Sequence, residues 1–382
     1  MYSLSYILLL LVYCVMALIF HYANEQNKKT IKIISIVLFL LFFGFRGLVG
    51  DDWIIYYPSF DGTYSDNIGN MMYSIQSSGF EPGFMFLLSF CKYISNSYEF
   101  FIFVCCLINS ALLFRFFLKR VDNLPFACVI FFCMSGIGLE VNLVRNSMAL
   151  FICLNALEFI TERKPLPYFL LCLLATSIHM ASVIFFSLYF FINKKLNRWL
   201  YFSIFVFCNI FLLLQINFIG PIMLMIASRM GDVYVELVEA YIEGALAEIP
   251  AVISIGFLER LLTGVLIFCY YDKLINIRKE NIIFINFFIC YILAFSFLRE
   301  FDVMARRVAI LFVCSYWILW GDLLKCFHYK SNRYLFLSFI VCYSLLKVHS
   351  MTNEPKMEYD NVLFGAKSYE ERYSIHSITN KK

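Results

Sequence analysis

The chain has 382 residues, 62% hydrophobic and 15% charged, with a net charge of +4 and a mean hydropathy of +0.76. Soluble domains are roughly half apolar and about a quarter charged, so this composition excludes an ordinary soluble enzyme. It gives no support to nucleic-acid binding either, because the basic residues are scattered through short loops and form no stripe.

Apolar runs near the ~20 residues that cross a ~30 Å hydrocarbon layer recur along the whole length, and backbone in lipid must satisfy its own hydrogen bonds, which leaves helices. The expectation is an all-α polytopic membrane protein of about a dozen transmembrane or re-entrant helices. Residues 1–349 read as one transmembrane domain with outer loops at 46–97, 220–250 and 299–307, and residues 350–382 read as a tail.

Residues 4–22 follow a start without positive charge and are long enough to remain as a span, not a cleaved leader. Lys28, Lys29 and Lys32 then mark the cytoplasm, which puts the N-terminus outside. Span two, 31–45, opens on an outer loop carrying Arg46, Asp51, Asp52, Asp61, Asp66 and Glu81. The run 84–94 is too short to cross and reads as re-entrant. Span three, 100–116, delivers Arg115, Lys119 and Arg120 to the cytoplasm; spans 124–141 and 147–160 follow, with Glu140 and Arg145 at the outer turn between them. Residues 166–192 read as two short halves meeting at an outer hairpin around His179, since a single crossing would leave Lys194, Lys195 and Arg198 outside.

After span 199–218 an amphipathic helix is expected over 232–248. Span 251–271 places Glu259 and Arg260 near its centre, read either as functional intramembrane charge or as a helix out of register with these boundaries. Span 282–298 ends on Arg299-Glu300-Phe301-Asp302 and Arg306-Arg307, then spans 308–324 and 334–347 release the tail outside, so both termini are expected to be extracytoplasmic. The 14 cysteines sit mostly in apolar runs without zinc-type spacing and read as small hydrophobes.

The densest chemistry is the run from Gly44 to Phe60, with Arg46, adjacent Asp51 and Asp52, three glycines and aromatic rings, read as the first wall of an active site or as a polar helix cap. Arg46, Arg145, Arg229, Arg299, Arg306 and Arg307 fall at the outer boundary, where positive charge is disfavoured and where all are arginine. Guanidinium forks bind phosphate bidentately, which suggests a lipid-linked phosphate or diphosphate. The competing reading pairs Arg299, Arg306 and Arg307 with Glu300 and Asp302. His179 reads as a structural donor, a proton acceptor or a diphosphate donor. Asp51 and Asp52 alone are a weak signal for a divalent metal.

Together these residues resemble the EpsG-type branch of the Wzy-like bacterial polysaccharide polymerases, which act in O-antigen, capsule and exopolysaccharide assembly. Arg46 with Gly50-Asp51-Asp52 and Tyr56 is similar to the family's arginine and Gly-x-Asp-x-x-x-Tyr element, and Glu81-Pro82-Gly83-Phe84 to its Glu-x-Gly-aromatic step. Arg145 with Ala149 resembles an Arg-Gln-x-x-Ala turn, with Asn146 in the glutamine's place; His179 with Ser182 matches His-x-x-Ser. Arg306 or Arg307 resembles the arginine before a penultimate span, and Tyr359 with Asn361 echoes a C-terminal Pro-Tyr-x-Asn motif without its proline.

The resemblance implies a glycosyltransferase of the bacterial cytoplasmic (inner) membrane that joins undecaprenyl-diphosphate-linked oligosaccharide repeat units at its outer face. Its partners would be the polyprenyl-diphosphate-linked oligosaccharide, membrane lipid and a chain-length regulator, with no nucleic acid and no cofactor. The implied catalytic residues are Asp52, Glu81 and His179, with Arg46, Arg145, Arg306 and Arg307 on the diphosphate and Trp53, Tyr56 and Tyr359 against sugar. The alternatives are a metal-dependent glycosyltransferase using a lipid-phosphate sugar, with Asp51 and Asp52 on the ion, and a flippase for the lipid-linked unit.

Overall fold

The computed structural model describes residues 2–63, 68–77, 79–216, 218–246 and 253–379, and every regular element among them is helical. The chain forms two units, Met1–Tyr189 with Lys330–Lys382, and Phe190–Tyr329.

In the first unit α1 (Leu4–Tyr22) and α2 (Glu25–Gly44) are separated at Asn24, whose side chain accepts from the Asn27 amide and so caps α2. The loop expected after residue 45 contains two further helices, α3 (Trp53–Asp61) and α4 (Ile68–Ser77); Asp66 lies outside the described residues. Pro82, at the start of α5 (Pro82–Ile94), presets the first helical turn. Ser97 caps α6 (Tyr98–Arg120) and Asn123 caps α7 (Leu124–Phe131).

The helical path from α7 through a π segment, Phe132–Gly136, to α8 (Ile137–Val141) is broken at its middle: Ser135 has φ +69° and Met134 leaves helical geometry. This stretch and α9 (Val144–Thr161) are buried over most of their length and form the unit's core. α10 (Pro165–Ile178) stops at His179, whose backbone is extended, and the chain turns through Met180–Val183 into α11 (Ile184–Leu188). The arms fold back on each other as the charge pattern suggests, with Tyr168 donating its hydroxyl proton to the Phe185 carbonyl at 2.6 Å and Phe169 stacked on Phe186.

The second unit contains α12 (Arg198–Leu213), α13 (Ile219–Ala227), α14 (Asp232–Leu246), α15 (Ile255–Cys269), α16 (Tyr271–Ile277), α17 (Asn281–Phe297), α18 (Asp302–Ala309) and α19 (Cys314–Cys326). Residues 247–248 of the expected amphipathic helix and 251–252 of the expected ninth span lie outside the described residues. Ser254 caps α15, so Glu259 and Arg260 sit in its first two turns, not at its centre. Glu259 is buried and accepts from the Thr263 hydroxyl at 2.9 Å, while Arg260 lies over the Phe295 ring. The chain returns to the first unit with α20 (Lys330–Thr352) and α21 (Tyr369–Thr379).

Among the described residues five helices are long and apolar enough to span a bilayer: α1, α6, the broken Leu124–Val141 path, α9 and α20. The pair Met304–Phe312 and Cys314–Cys326, bent by 47°, makes a sixth if taken as one span. Shorter apolar helices are α5, α10, α12 and α17. The protein is a helical, polytopic membrane protein.

Candidate active site

Two glycines set the geometry of the site. Gly50 has φ +88°, and a Cβ there would stand 1.8 Å from the Asn142 side-chain oxygen, which accepts from the Asp51 amide at 2.8 Å. The loop is thereby pinned to the α8–α9 turn. At Gly83 a Cβ would meet the Ser177 carbonyl oxygen at 2.8 Å, so only glycine lets the start of α5 touch the end of α10. Buried Phe84 packs against Tyr56 and Phe101, holding α5 beside α3 and α6.

The ends of α3, α5, α9 and α10 converge, and on them five residues singled out from the sequence form one chain of contacts. Glu81 is its hub. One carboxylate oxygen lies 3.0 Å from His179 Nδ1 and accepts from the Met180 amide at 2.9 Å; the other takes Arg145 Nη1 at 2.5 Å. Arg145 Nε donates to the Tyr56 hydroxyl at 3.1 Å, and that hydroxyl donates to Asp52 Oδ2 at 3.1 Å. The side chains of Arg145, Glu81 and His179 are 19–24% exposed, so the group is half-buried and still open to a ligand.

The electrostatics follow from these contacts. Burial pushes the Glu81 carboxyl up, but the Met180 amide, its own amide, Arg145 and His179 outweigh that and hold it below the ordinary carboxylate range. With Glu81 ionised and accepting, the His179 ring presents Nδ1–H to it, and in the neutral ring the lone pair then falls on Nε2. Burial first, then the Asp52 charge, raises the Tyr56 phenol, which stays a neutral donor. The Arg145 guanidinium lies over Phe80, with its centre 4.6 Å from the ring centroid, and is flanked by Tyr56 and Phe84 at 5.5 Å. It stands in the first turn of α9, whose leading residue Leu143 supplies no side-chain cap, so helix amides add positive potential there.

The remaining expected residues are elsewhere. Arg46 is 5% exposed, donates to the Phe43 carbonyl at 2.6 Å and bridges its backbone to Asn361. With Trp53, Tyr56 and Tyr98 it lines a cavity of about 10 Å³, room for a single water and far too small for a diphosphate. Trp53, expected against sugar, is 5% exposed and donates to the Gly50 carbonyl. Tyr359, also expected there, stacks on Phe42 and donates to its carbonyl at 2.9 Å. Asp51 turns away from Asp52 to Lys356 at 3.0 Å and His376 at 3.2 Å, so the two carboxylates do not converge on one cation.

In the second unit Arg306 and Arg307 lie exposed on α18. Glu300, read as a partner for these arginines, instead caps α13 by accepting from the amides of Phe218, Ile219 and Gly220.

Sequence reading missed Phe80, although it immediately precedes Glu81-Pro82-Gly83, and missed the Met180 amide, which no side-chain pattern reveals. It also missed Lys356 and His376.

Searches of the curated proteins and of the solved structures return no significant match. The EpsG family model matches residues 29–363, a range that holds every member of the Glu81 group. A half-buried charged site at the ends of apolar helices accompanies that match, and the chain belongs to the EpsG family, as a membrane protein of polysaccharide biosynthesis.

Proposed function

We propose that the protein is a polysaccharide repeat-unit polymerase, transferring a growing chain from one polyprenyl diphosphate to a sugar hydroxyl of the next lipid-linked unit at the outer face of the bacterial cytoplasmic membrane. The observation that carries this reading is the Glu81-centred group, because it supplies in one place what the reaction needs. The bond from the anomeric carbon to the diphosphate oxygen breaks through an oxocarbenium-like centre. The leaving diphosphate requires fixed positive charge, and the acceptor hydroxyl requires a base.

Arg145 meets the second demand. Its Nε and one Nη are held by Tyr56 and Glu81, while Nη2 has no acceptor among the described residues and is available to a phosphate oxygen. His179 meets the third, with Nε2 taking the hydroxyl proton as the new glycosidic bond forms. Glu81 does not act as an acid here: both oxygens are committed, and its work is to orient His179 and Arg145. Asp52, fixed by Tyr56, is the carboxylate assigned to the developing positive charge.

The topology proposed from the loop charges has both termini outside and the hairpin at His179 on the outer surface. Alkaline phosphatase fused after Asp61 is then active and fused after Lys195 inactive. The function is tested by giving purified protein a lipid-diphosphate-linked oligosaccharide. The expected result is a polymer ladder and one polyprenyl diphosphate released per bond formed, unaffected by a chelator. Intact substrate moved across vesicle bilayers without ladder formation would instead identify a flippase. Ladder formation that stops with chelator and returns with magnesium would identify the metal-dependent rival.

A further inference from the structure

The second unit contains a cleft unrelated to the Glu81 group. It has a volume of about 440 Å³ and lies between α16 and the end of α19, lined by Lys273, Asn276, Ile277, Lys325, Phe327 and His328 with no carboxylate in its wall. We infer that this cleft binds a phosphate-bearing anion, and that the headgroup of an anionic phospholipid is its source.

Charge accounting separates this cleft from a surface on which lysines already have partners. Asp272, adjacent to Lys273 in sequence, pairs with Lys195 at 3.6 Å, and Asp322 is buried and satisfied by Lys325 at 2.8 Å, Asn281 at 3.0 Å and Arg278 at 3.5 Å. Its single charge is therefore matched without Lys273. Lys273 is exposed, rests against the Tyr270 ring and has no carboxylate partner among the described residues. His328 is also exposed, with its ring against Tyr329. Lys325 is held by Asp322, which leaves Lys273, with His328 and the Asn276 amide, facing one concavity of ligand-binding size.

Position favours a lipid over a soluble anion. The cleft lies at the ends of α16 and α19, and helix ends of a polytopic protein are where lipid headgroups meet basic side chains. Its wall is mixed: Ile277 is 38% exposed, and Phe327 packs edge-on to Tyr270. An apolar rim beside a lysine that no carboxylate holds suits a headgroup with its first acyl carbons. The carbonyl end of α19 disfavours an anion, and Lys325 in its last turn offsets that.

The test uses the full chain in a zwitterionic detergent and measures binding of short-chain phosphatidylglycerol, phosphatidylcholine of the same chain length, and inorganic phosphate by native mass spectrometry and thermal shift. Lys273→Glu, which leaves the Asp322 cluster intact, should weaken phosphatidylglycerol binding about thirtyfold, with each unit of charge contributing roughly fivefold. Lys273→Arg should restore it to within about twofold, and Lys29→Glu, on α2, should leave it unchanged. Phosphatidylcholine should bind wild type and Lys273→Glu alike. If inorganic phosphate alone binds and is lost in Lys273→Glu, the lipid source is wrong although the phosphate chemistry stands. Equal phosphatidylglycerol affinity in wild type and a folded Lys273→Glu variant would overturn the site.

Discussion

Asp51 and Asp52 are adjacent in sequence and belong to different constructions. Asp52 begins a chain of half-buried contacts through Tyr56 and Arg145 to Glu81 and His179, in which the last three side chains remain 19–24% exposed. Asp51 closes a clasp: Lys356 and His376 grip its two oxygens, Gly47 and Gly50 donate backbone hydrogen bonds to Asp360 and Lys356, and Tyr369 packs against Trp53 and Tyr57. In the clasp, contacts join segments about 300 residues apart and bury Arg372 against Asp360. The contrast teaches that charge density in a loop does not identify a site. What marks one here is several ionisable groups held against one another at converging helix ends, whereas Asp51, itself 39% exposed, ties the tail to the loop.

The largest effect that would sharpen this contrast is at Arg145. Its loss should lower the transfer rate about 10²–10³-fold, and Arg145→Lys, which keeps charge without the planar fork, should fall between alanine and wild type. The check is ladder formation by variants present in the membrane at wild-type amounts. Normal rates in Arg145→Ala would leave the arginine as no more than the partner of Glu81.

Next comes Tyr56→Phe, which removes the hydroxyl between Arg145 and Asp52 but keeps the ring under the guanidinium. About a tenfold loss of rate with little change in thermal midpoint is expected, the weight of one charge-assisted hydrogen bond. A loss of stability without loss of rate would move Tyr56 to the clasp side of the comparison.

Smaller still is the acid limb of stability set by Glu81. Its carboxyl lies lower in the folded chain than its ordinary value of 4.5, so the unfolded chain binds the proton more readily. The stabilisation is therefore present above about pH 4.5 and lost as pH falls through the lower folded value. Glu81→Gln should cost stability at pH 7 and progressively less below pH 4.5. A gap in thermal midpoint that is constant across this range would mean Glu81 gains nothing from ionisation in the fold.

Much of the helical plan is legible from hydropathy and charge. The first helix matches its expected bounds, Leu4–Tyr22, because an unbroken apolar run leaves little alternative in lipid. The break at His179 follows from the lysines beyond it. The resemblance places Asp52, Tyr56, Glu81, Arg145 and His179 in one site, and the structure gathers these five. Arg46, Trp53 and Tyr359, which the resemblance puts in the same site, lie outside that chain of contacts for a physical reason: their burial depends on the tail returning to the first loop, and the Asp51–His376 contact spans 325 positions with no local signature. Glu300 is a similar case, its partners being backbone amides.

The most direct measurement compares Glu81→Gln with Asp51→Asn, recording transfer rate and thermal midpoint on the same preparations. Glu81→Gln should reduce the rate about a hundredfold, as a misoriented base and cation require. Asp51→Asn should keep the wild-type rate and lower stability by no more than about 1 kcal/mol, the weight of partly exposed ion pairs. A Glu81→Gln variant that polymerises at the wild-type rate, or an Asp51→Asn variant that loses transfer while its thermal midpoint holds, would contradict the division of the loop into site and clasp.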